Sequence, residues 1–352
     1  MLRARIQTLL TKARTLRLAV IGDAMLDVYL HGDVERISPE APVSVVRVRD
    51  RKDALGGAAN VAQNVAALGA TVELVAVVGS DSAGARVRQM LTALGGDTRG
   101  LVESTRPTTT KTRVLARSQQ LIRVDEEVDA DCTGDDVAHL LAAADRAVAD
   151  ADALVLEDYN KGVLVAGVIE HAIARARAKG IPIVVDPKYR NFFAYRGATA
   201  FKPNRRELEA ALGAAVDLDH PNALPGVLEK LGVETLLLTL SEKGMALVQQ
   251  TADSRRQTVD VAPTAYRVQP TASVAVHLIP TTAREVYDVV GAGDTVTAYL
   301  AAMLAAGATP LEAAEIANYA AGVEVGKLGA ATVSPQEVLD AFDEHAGGEG
   351  RR

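Results

Sequence analysis

The sequence contains no tryptophan, one cysteine and only 3% aromatic residues, and it has no long apolar run. The single cysteine, Cys132, excludes an internal disulfide and is typical of proteins kept in a reducing cytosol. Without a run of about 18–20 apolar residues, no membrane-spanning helix is expected. The N-terminus lacks the apolar core of a secretory signal. These shortages predict a cytoplasmic protein with no membrane partner.

Positive charge is also in short supply. The net charge is −7, and a protein that binds a polyanion needs an excess of lysine and arginine. The sequence therefore argues against a nucleic-acid partner. The six histidines show no metal-ligand spacing, so we assign none of them a function.

Apolar residues make up 48% of the 352 residues, enough for a substantial core. Compact apolar runs at 18–23, 72–79 and 153–156 predict buried strands. Alanine-rich segments such as 163–179 and 294–306 predict helices between or after them. Strands that alternate with helices of this length indicate an α/β fold with a mainly parallel sheet covered on both faces.

Three segments do not fit this alternation. Residues 24–55 and 108–124 are more polar and partly alternate, which predicts a small β-sheet lid inserted into the main domain. Residues 250–283 predict a surface β-hairpin or loop excursion. We expect one domain over residues 1–345 and a disordered tail at 346–352.

A short glycine-containing segment, Gly291-Ala292-Gly293-Asp294, precedes a long alanine-rich helix. Small residues let backbone N–H groups approach an anion, and a helix N-terminus favours negative charge. A carboxylate at that point could accept a proton from an attacking hydroxyl. The alternative is an ordinary helix cap after a tight turn. No Walker A sequence and no G-x-G-x-x-G fingerprint occurs, which weakens P-loop and Rossmann interpretations.

The order of three motifs changes the balance between these interpretations. Gly56-Gly57, Asn204-x-x-Glu207 and Asp288-x-x-Gly-Ala-Gly-Asp294 occur in that order along the chain. Together they resemble the PfkB (ribokinase-like) carbohydrate kinase family, from about residue 17 to 345. The resemblance implies a three-layer sandwich with a mainly parallel central sheet and a β-sheet lid. It also implies the use of ATP and Mg²⁺, and it leaves a monovalent cation requirement open.

The same resemblance implies roles for individual residues. Asp294 would be the catalytic base, and the amides of Gly291, Ala292 and Gly293 would form the anion hole. Asn204 and Glu207 would organise Mg²⁺–ATP, with Glu207 reaching the metal through water. A local alternative for this pair is a helix-capping box. The other nucleotide-binding candidates are Lys188, Ser241, Glu242, Gly244, Asp288, Asn318 and Gly322. Val290 departs from the family, which often has Thr or Ser there.

Within the family, the chain is most similar to the D-glycero-β-D-manno-heptose 7-phosphate kinases. Segments 22–27, 36–43, 109–114, 119–125 and 325–329 carry this similarity. It implies phosphorylation of the C1 hydroxyl to give the 1,7-bisphosphate, a step of ADP-heptose and lipopolysaccharide synthesis. The chain departs from that branch at Glu157, Asn160 and Leu240.

The basic stretch of the predicted lid supports a substrate that already bears a phosphate. Lys111 and Arg113 alternate on a strand and would share a face, which suits a phosphate dianion. The alternative is a solvated strand edge protected by positive charge. The candidate substrate-binding residues are Asp27, Gly56, Gly57, Asn60, Lys111, Arg113, Arg117 and Lys161.

Two other functions remain open at this point. One is a PfkB kinase for another sugar, sugar phosphate or nucleoside. The other is a non-catalytic sensor of sugar phosphates or nucleotides with the same fold, an idea that only Val290 supports. In this family the lid often joins two subunits, so we expect a homodimer through the lid.

Overall fold

The computed structural model describes residues 1–116, 119–218, 224–250, 274–283 and 285–349. Its strands are β1 (Arg17–Gly22), β2 (Ala24–Ile37), β3 (Ser44–Gly57), β4 (Thr71–Gly79), β5 (Leu101–Ser104), β6 (Thr110–Ala116), β7 (Gln119–Glu126), β8 (Ala153–Glu157), β9 (Ile183–Asp186), β10 (Ala200–Phe201), β11 (Thr235–Thr239), β12 (Met245–Gln250) and β13 (Val274–Ile279). Its helices are α1 (Arg3–Ala13), α2 (Ala58–Ala67), α3 (Ser82–Ala93), α4 (Gly134–Asp150), α5 (Ala166–Lys179), α6 (Arg205–Leu212), α7 (Leu224–Leu231), α8 (Ala292–Ala305), α9 (Pro310–Glu324) and α10 (Pro335–Glu349). None of these helices is long and apolar enough to cross a bilayer.

The central sheet has the strand order β13-β12-β11-β10-β9-β8-β1-β4-β5 within the described residues. Every pair from β5 to β11 is parallel, whereas β12 and β13 add antiparallel strands at one edge. The carboxyl ends of β1, β8, β9 and β10 therefore lie side by side. In open α/β sheets that edge is where ligands bind.

Alternation along the strands divides the core into two layers. In β1, Leu18 and Val20 pack into one apolar cluster with α1, α2, α3, α8, α9 and α10. Ala19 and Ile21 point the other way, into a second cluster with α4, α5, α6 and α7. Successive strand residues face opposite sides, so an all-apolar strand must be covered on both. This is the predicted three-layer α/β sandwich.

The lid is a separate sheet with the strand order β3-β2-β6-β7. Strand β2 pairs antiparallel with β3 and parallel with β6, and β6 pairs antiparallel with β7. Both polar segments identified in the sequence contribute to it, which confirms the smaller sheet. The inner ends of β2 and β3 are buried, while every residue of β7 is exposed.

Several element boundaries differ from the sequence predictions. The helix expected at 163–179 begins at Ala166, and the helix expected at 294 begins at Ala292. Helix α4 and strand β12 were not predicted at all. The last helix continues to Glu349, beyond the expected end at 345. Residues 350–352 of the predicted tail, and 251–273 of the predicted excursion, lie outside the described residues.

The amino-terminal edge of the central sheet contains a buried glutamate, Glu73 in β4, which is 0% exposed. Its carboxylate lies 3.2 Å from Arg17 and 3.2 Å from Arg146, and Arg99 lies 3.9 Å away. A buried carboxylate is stable only when such partners offset its lost hydration. These arginines therefore balance Glu73 within the protein.

The single cysteine, Cys132, is also buried. The Arg106 guanidinium lies 3.0 Å from its Sγ atom. Burial raises the pKa of the Cys132 thiol, although the neighbouring Arg106 charge acts in the opposite direction. A thiol of this kind is largely protonated at neutral pH and shielded from reagents.

Candidate active site

Three adjacent strands each bring a charged side chain to the carboxyl edge of the sheet. β8 ends at Glu157, β9 ends at Asp186, and Lys202 follows β10. All three are buried, with exposures of 0%, 7% and 3%. The N-terminus of α8 faces the same place and supplies Asp294.

Asp294 is 5% exposed and each of its carboxylate oxygens accepts one hydrogen bond. Asn60 Nδ2 donates to Oδ2 over 2.7 Å, and the Tyr159 hydroxyl donates to Oδ1 over 2.8 Å. Burial raises the pKa of Asp294 to about 6, even though these two donors act to lower it. A base with a pKa just below neutral is ionised at pH 7 yet still able to take up a proton.

Carboxylate oxygens of Glu157, Asp186 and Asp294 all lie within 4.8 Å of one another. Lys202 Nζ is 2.7 Å from Asp186, but neither carboxylate oxygen of Glu157 has a hydrogen-bond partner among the described residues. Burial, and then the charge of Asp186, raises the pKa of Glu157 well above its usual value. A hard divalent cation binds oxygen ligands of this kind, so the residues fit Mg²⁺.

The anion site predicted from the sequence lies at the start of α8. Gly291 has φ 99°, a left-handed conformation that favours glycine, and it precedes the first helical residue, Ala292. The first N–H groups of a helix have no intrahelical acceptor, so they can bind an anion. Asp288 stabilises the preceding loop by accepting hydrogen bonds from Val290 N at 3.0 Å and Gly329 N at 3.1 Å.

Gly56 and Gly57, where strand β3 meets helix α2, leave no space for a side chain. A Cβ atom at Gly56 would lie 2.7 Å from Asp27 Oδ2. At Gly57, which has φ 56°, it would lie 2.4 Å from the Asp23 carbonyl oxygen and 3.4 Å from the Tyr159 ring. Any larger residue would displace these groups, which explains why this motif contains glycine.

Comparisons with known proteins identify the family of this chain. A profile of the pfkB family carbohydrate kinases matches residues 15–337. The chain belongs to this family. It is therefore an ATP-dependent carbohydrate kinase, as the order of its three motifs predicted.

Curated relatives support the same assignment. The chain is 44% identical over 341 residues to the bifunctional protein HldE of Citrifermentans bemidjiense, covering 96% of this chain and 65% of the relative. It is 45% identical over 335 residues to HldE of Shewanella amazonensis, covering 95% and 65%. The chain thus spans 65% of the length of each of these two relatives.

Solved structures share the fold. An Arabidopsis thaliana ribokinase complexed with ribose and ATP has a TM-score of 0.68 at 20% identity, covering 93% of this chain and 99% of that one. Phosphofructokinase-2 from Escherichia coli, in its tetrameric inhibited form, has a TM-score of 0.72 at 17% identity, covering 94% and 100%. The predicted ribokinase-like architecture is confirmed.

The predicted N-x-x-E motif of this kinase forms a helix-capping box. Asn204 accepts a hydrogen bond from Glu207 N, and the Glu207 carboxylate accepts one from Asn204 N, both at 2.9 Å. Glu207 also forms an ion pair with Lys188. The motif therefore caps helix α6, as the local alternative predicted. The ion pair with Lys188 links Glu207 to the segment after β9.

Two of the predicted substrate-binding side chains, Arg113 and Lys161, form ion pairs within the protein. Arg113 forms an ion pair with Asp27, and Lys161 Nζ lies 2.7 Å from Glu127. Burial lowers the pKa of Lys111, and its ammonium lies 5.8 Å from the centre of the Tyr159 ring. Arg117 lies outside the described residues. Lys188, a predicted nucleotide-binding residue, lies closer to the same ring, at 5.2 Å.

Three other predicted nucleotide-binding residues, Gly244, Asn318 and Gly322, lie next to the segment after β13. Ser241 and Glu242 lie in an exposed 3₁₀ turn that ends at Gly244. Asn318 Nδ2 donates to the Pro280 carbonyl over 2.8 Å, so Asn318 holds the segment after β13. A cavity of about 330 Å³ opens beside Gly322, but the residues of the 3₁₀ turn do not line it.

Sequence reasoning missed four side chains of the carboxyl edge. Glu157 was noted only as a departure from related kinases, and Tyr159, Asp186 and Lys202 were not assigned roles. Glu157, directly after the predicted strand at 153–156, was an available signal, because parallel strands place such residues at one edge. Strand β10, which precedes Lys202, was not predicted.

Proposed function

We propose that this kinase transfers the γ-phosphoryl group of ATP to the C1 hydroxyl of D-glycero-β-D-manno-heptose 7-phosphate. The observation that carries the proposal is the buried Asp294, clamped between Asn60 and Tyr159 at the start of α8. The similarity to HldE proteins supports the choice of sugar. Because the chain spans only 65% of those relatives, we propose no other reaction of theirs for it.

In the proposed mechanism, the C1 hydroxyl of the sugar approaches Asp294. The carboxylate takes the hydroxyl proton while the sugar oxygen attacks the γ-phosphorus, and ADP leaves with the bridging oxygen. The amides of Gly291, Ala292 and Gly293 stabilise negative charge on the transferring group. Lys202, buried beside Gly293, adds a positive charge at the same edge.

Mg²⁺ is the divalent cation that we infer for this site. Glu157 and Asp186 are the candidate ligands, and contact through water at Glu207 remains a prediction. When bound, the ion neutralises charge on the nucleotide phosphates. A monovalent cation requirement remains a separate prediction, for which Asp288 and the loop before α8 are the nearest candidates.

The substrate phosphate would bind at the inner face of the lid. Lys111 is partly buried and lies above the Tyr159 ring, whose hydroxyl contacts Asp294. One aromatic side chain therefore links the phosphate-binding candidate to the base. This arrangement supports a phosphorylated sugar over an uncharged sugar or a nucleoside.

An ATP-consumption assay tests the proposal with heptose 7-phosphate, ribose, fructose 6-phosphate and adenosine as acceptors. We expect a clear preference for heptose 7-phosphate, and about 10³-fold less turnover in Asp294→Asn because the general base is lost. Calorimetry should show that this variant still binds ATP. A preference for another acceptor would overturn the substrate assignment, whereas full turnover in Asp294→Asn would overturn the role of the base.

We also propose that two copies of the kinase associate through their lids. The lid exposes apolar side chains: Ile37 at 70% and Ile122 at 55% lie in its strands, and Val43 at 57% lies in the connection between β2 and β3. A patch of this kind on a small sheet indicates a protein contact. Sedimentation equilibrium should give twice the mass of one chain, and a monomer at all concentrations would contradict the proposal.

A further inference from the structure

Tyr159, which belongs to none of the sequence motifs, contacts three groups of the candidate site. Its hydroxyl donates to Asp294 Oδ1 over 2.8 Å. The ammonium groups of Lys111 and Lys188 lie 5.8 and 5.2 Å from the centre of its ring. A cation at this distance from an aromatic face is attracted by the ring. Tyr159 therefore touches the base, the lid and the nucleotide side of the site at once.

The backbone that carries Tyr159 is fixed by a buried carboxylate. Asp23, 1% exposed, accepts hydrogen bonds from the N–H groups of Tyr159, Lys161 and Val163 at 2.8, 3.0 and 3.1 Å. Three donors on one carboxylate hold the loop after β8 in a single path.

A second carboxylate and an unusual backbone angle complete this support. Asp158 accepts hydrogen bonds from Asn160 N and from the Tyr195 hydroxyl, each at 2.7 Å. Asn160 itself has φ 54°, a left-handed conformation that is costly for most residues other than glycine. A loop held this firmly fixes the direction of the side chain beside it.

We propose that Tyr159 is a positioning residue for phosphoryl transfer, because its hydroxyl holds Oδ1 of Asp294 while Asn60 holds Oδ2. This inference rests on the proposed role of Asp294 as the base. With one donor on each oxygen, the carboxylate plane is fixed and each oxygen keeps a further lone pair for the acceptor hydroxyl. The Lys111 and Lys188 ammonium groups both lie within 6 Å of the centre of the Tyr159 ring.

The test is Tyr159→Phe, which keeps the ring and removes only the hydroxyl. We expect kcat at pH 7 to fall about tenfold, with the KM values for sugar and ATP nearly unchanged. A residue that only supported the fold would instead lower the folded fraction and leave kcat per folded molecule unchanged.

The matched control is Tyr299→Phe, which removes another buried hydroxyl, one that donates to the Val333 carbonyl at 2.8 Å. This variant should lose stability but keep the wild-type kcat per folded molecule. If Tyr159→Phe also keeps the wild-type kcat while Asp294→Asn is inactive, the inference is wrong and the kinase assignment stands.

Discussion

Two glutamates of the central sheet are equally buried but have opposite surroundings. Glu73 in β4 and Glu157 in β8 are both 0% exposed, and only β1 separates their strands. Glu73 lies near the amino-terminal edge among three arginines. Glu157 lies at the carboxyl edge, where its nearest charged neighbours include the carboxylates of Asp186 and Asp294.

The difference separates the part of the sheet that stabilises the fold from the part that binds ligands. Around Glu73 the charge is balanced inside the protein, so nothing further is required there. Around Glu157 the carboxyl groups outnumber the positive charges. Lys202 is paired with Asp186 and Lys188 with Glu207, so a proton or a cation must offset the remaining negative charge. Perturbed, uncompensated carboxyl groups of this kind are concentrated at functional sites.

The largest effect in this comparison is expected from Glu73→Gln. The substitution leaves its arginines without their buried partner, and breaking such a pair costs about 3 kcal/mol. Urea unfolding at pH 7 should show a lower midpoint with an unchanged slope. The Mg²⁺ requirement and the acid limb of activity should stay as in the wild type. A loss of stability below about 1 kcal/mol would show that Glu73 is not the balanced member of the pair.

A smaller change in stability, one that depends on pH, is expected from Glu157→Gln. The pKa of Glu157 in the folded protein lies above its ordinary value of 4.5, so the unfolded chain releases this proton first. Wild-type stability should then fall as pH rises from the unfolded pKa towards the folded one. The amide cannot ionise, so the variant should have a flatter pH profile and equal or greater stability at pH 8.

Activity gives the complementary measurement for the same variant. If Glu157 is a ligand, Glu157→Gln should need a higher Mg²⁺ concentration for half-maximal turnover, whereas Glu73→Gln should not. Should Glu157→Gln instead unfold as easily as Glu73→Gln, with no change in the Mg²⁺ requirement, the contrast between the two edges would be lost.

Local features of this chain were predictable from the sequence. The α8 start was located correctly to within two residues, because glycine before an alanine-rich helix is a local signal. Helix α6 begins at Arg205, directly after Asn204 of the predicted N-x-x-E motif. Its capping box follows from the spacing of Asn204 and Glu207 alone.

The features that were missed depend on distant parts of the chain. Glu157, Asp186 and Lys202 meet because β8, β9 and β10 are neighbours, and strand order is not encoded locally. The helix predicted from residue 163 begins instead at Ala166, because Asp23 holds the N–H groups of the preceding loop. Helix propensity could not anticipate a partner 140 positions away.

The buried cysteine has a practical consequence for studying motion of the lid. Cys132 is the only thiol in the sequence, it is 4% exposed, and burial raises its pKa. Thiol reagents act on the exposed thiolate, so the native protein should offer them little to modify. A cysteine introduced on the exposed strand β7 would then be the one reactive position. A fluorophore attached there could report lid closure without first removing the native cysteine.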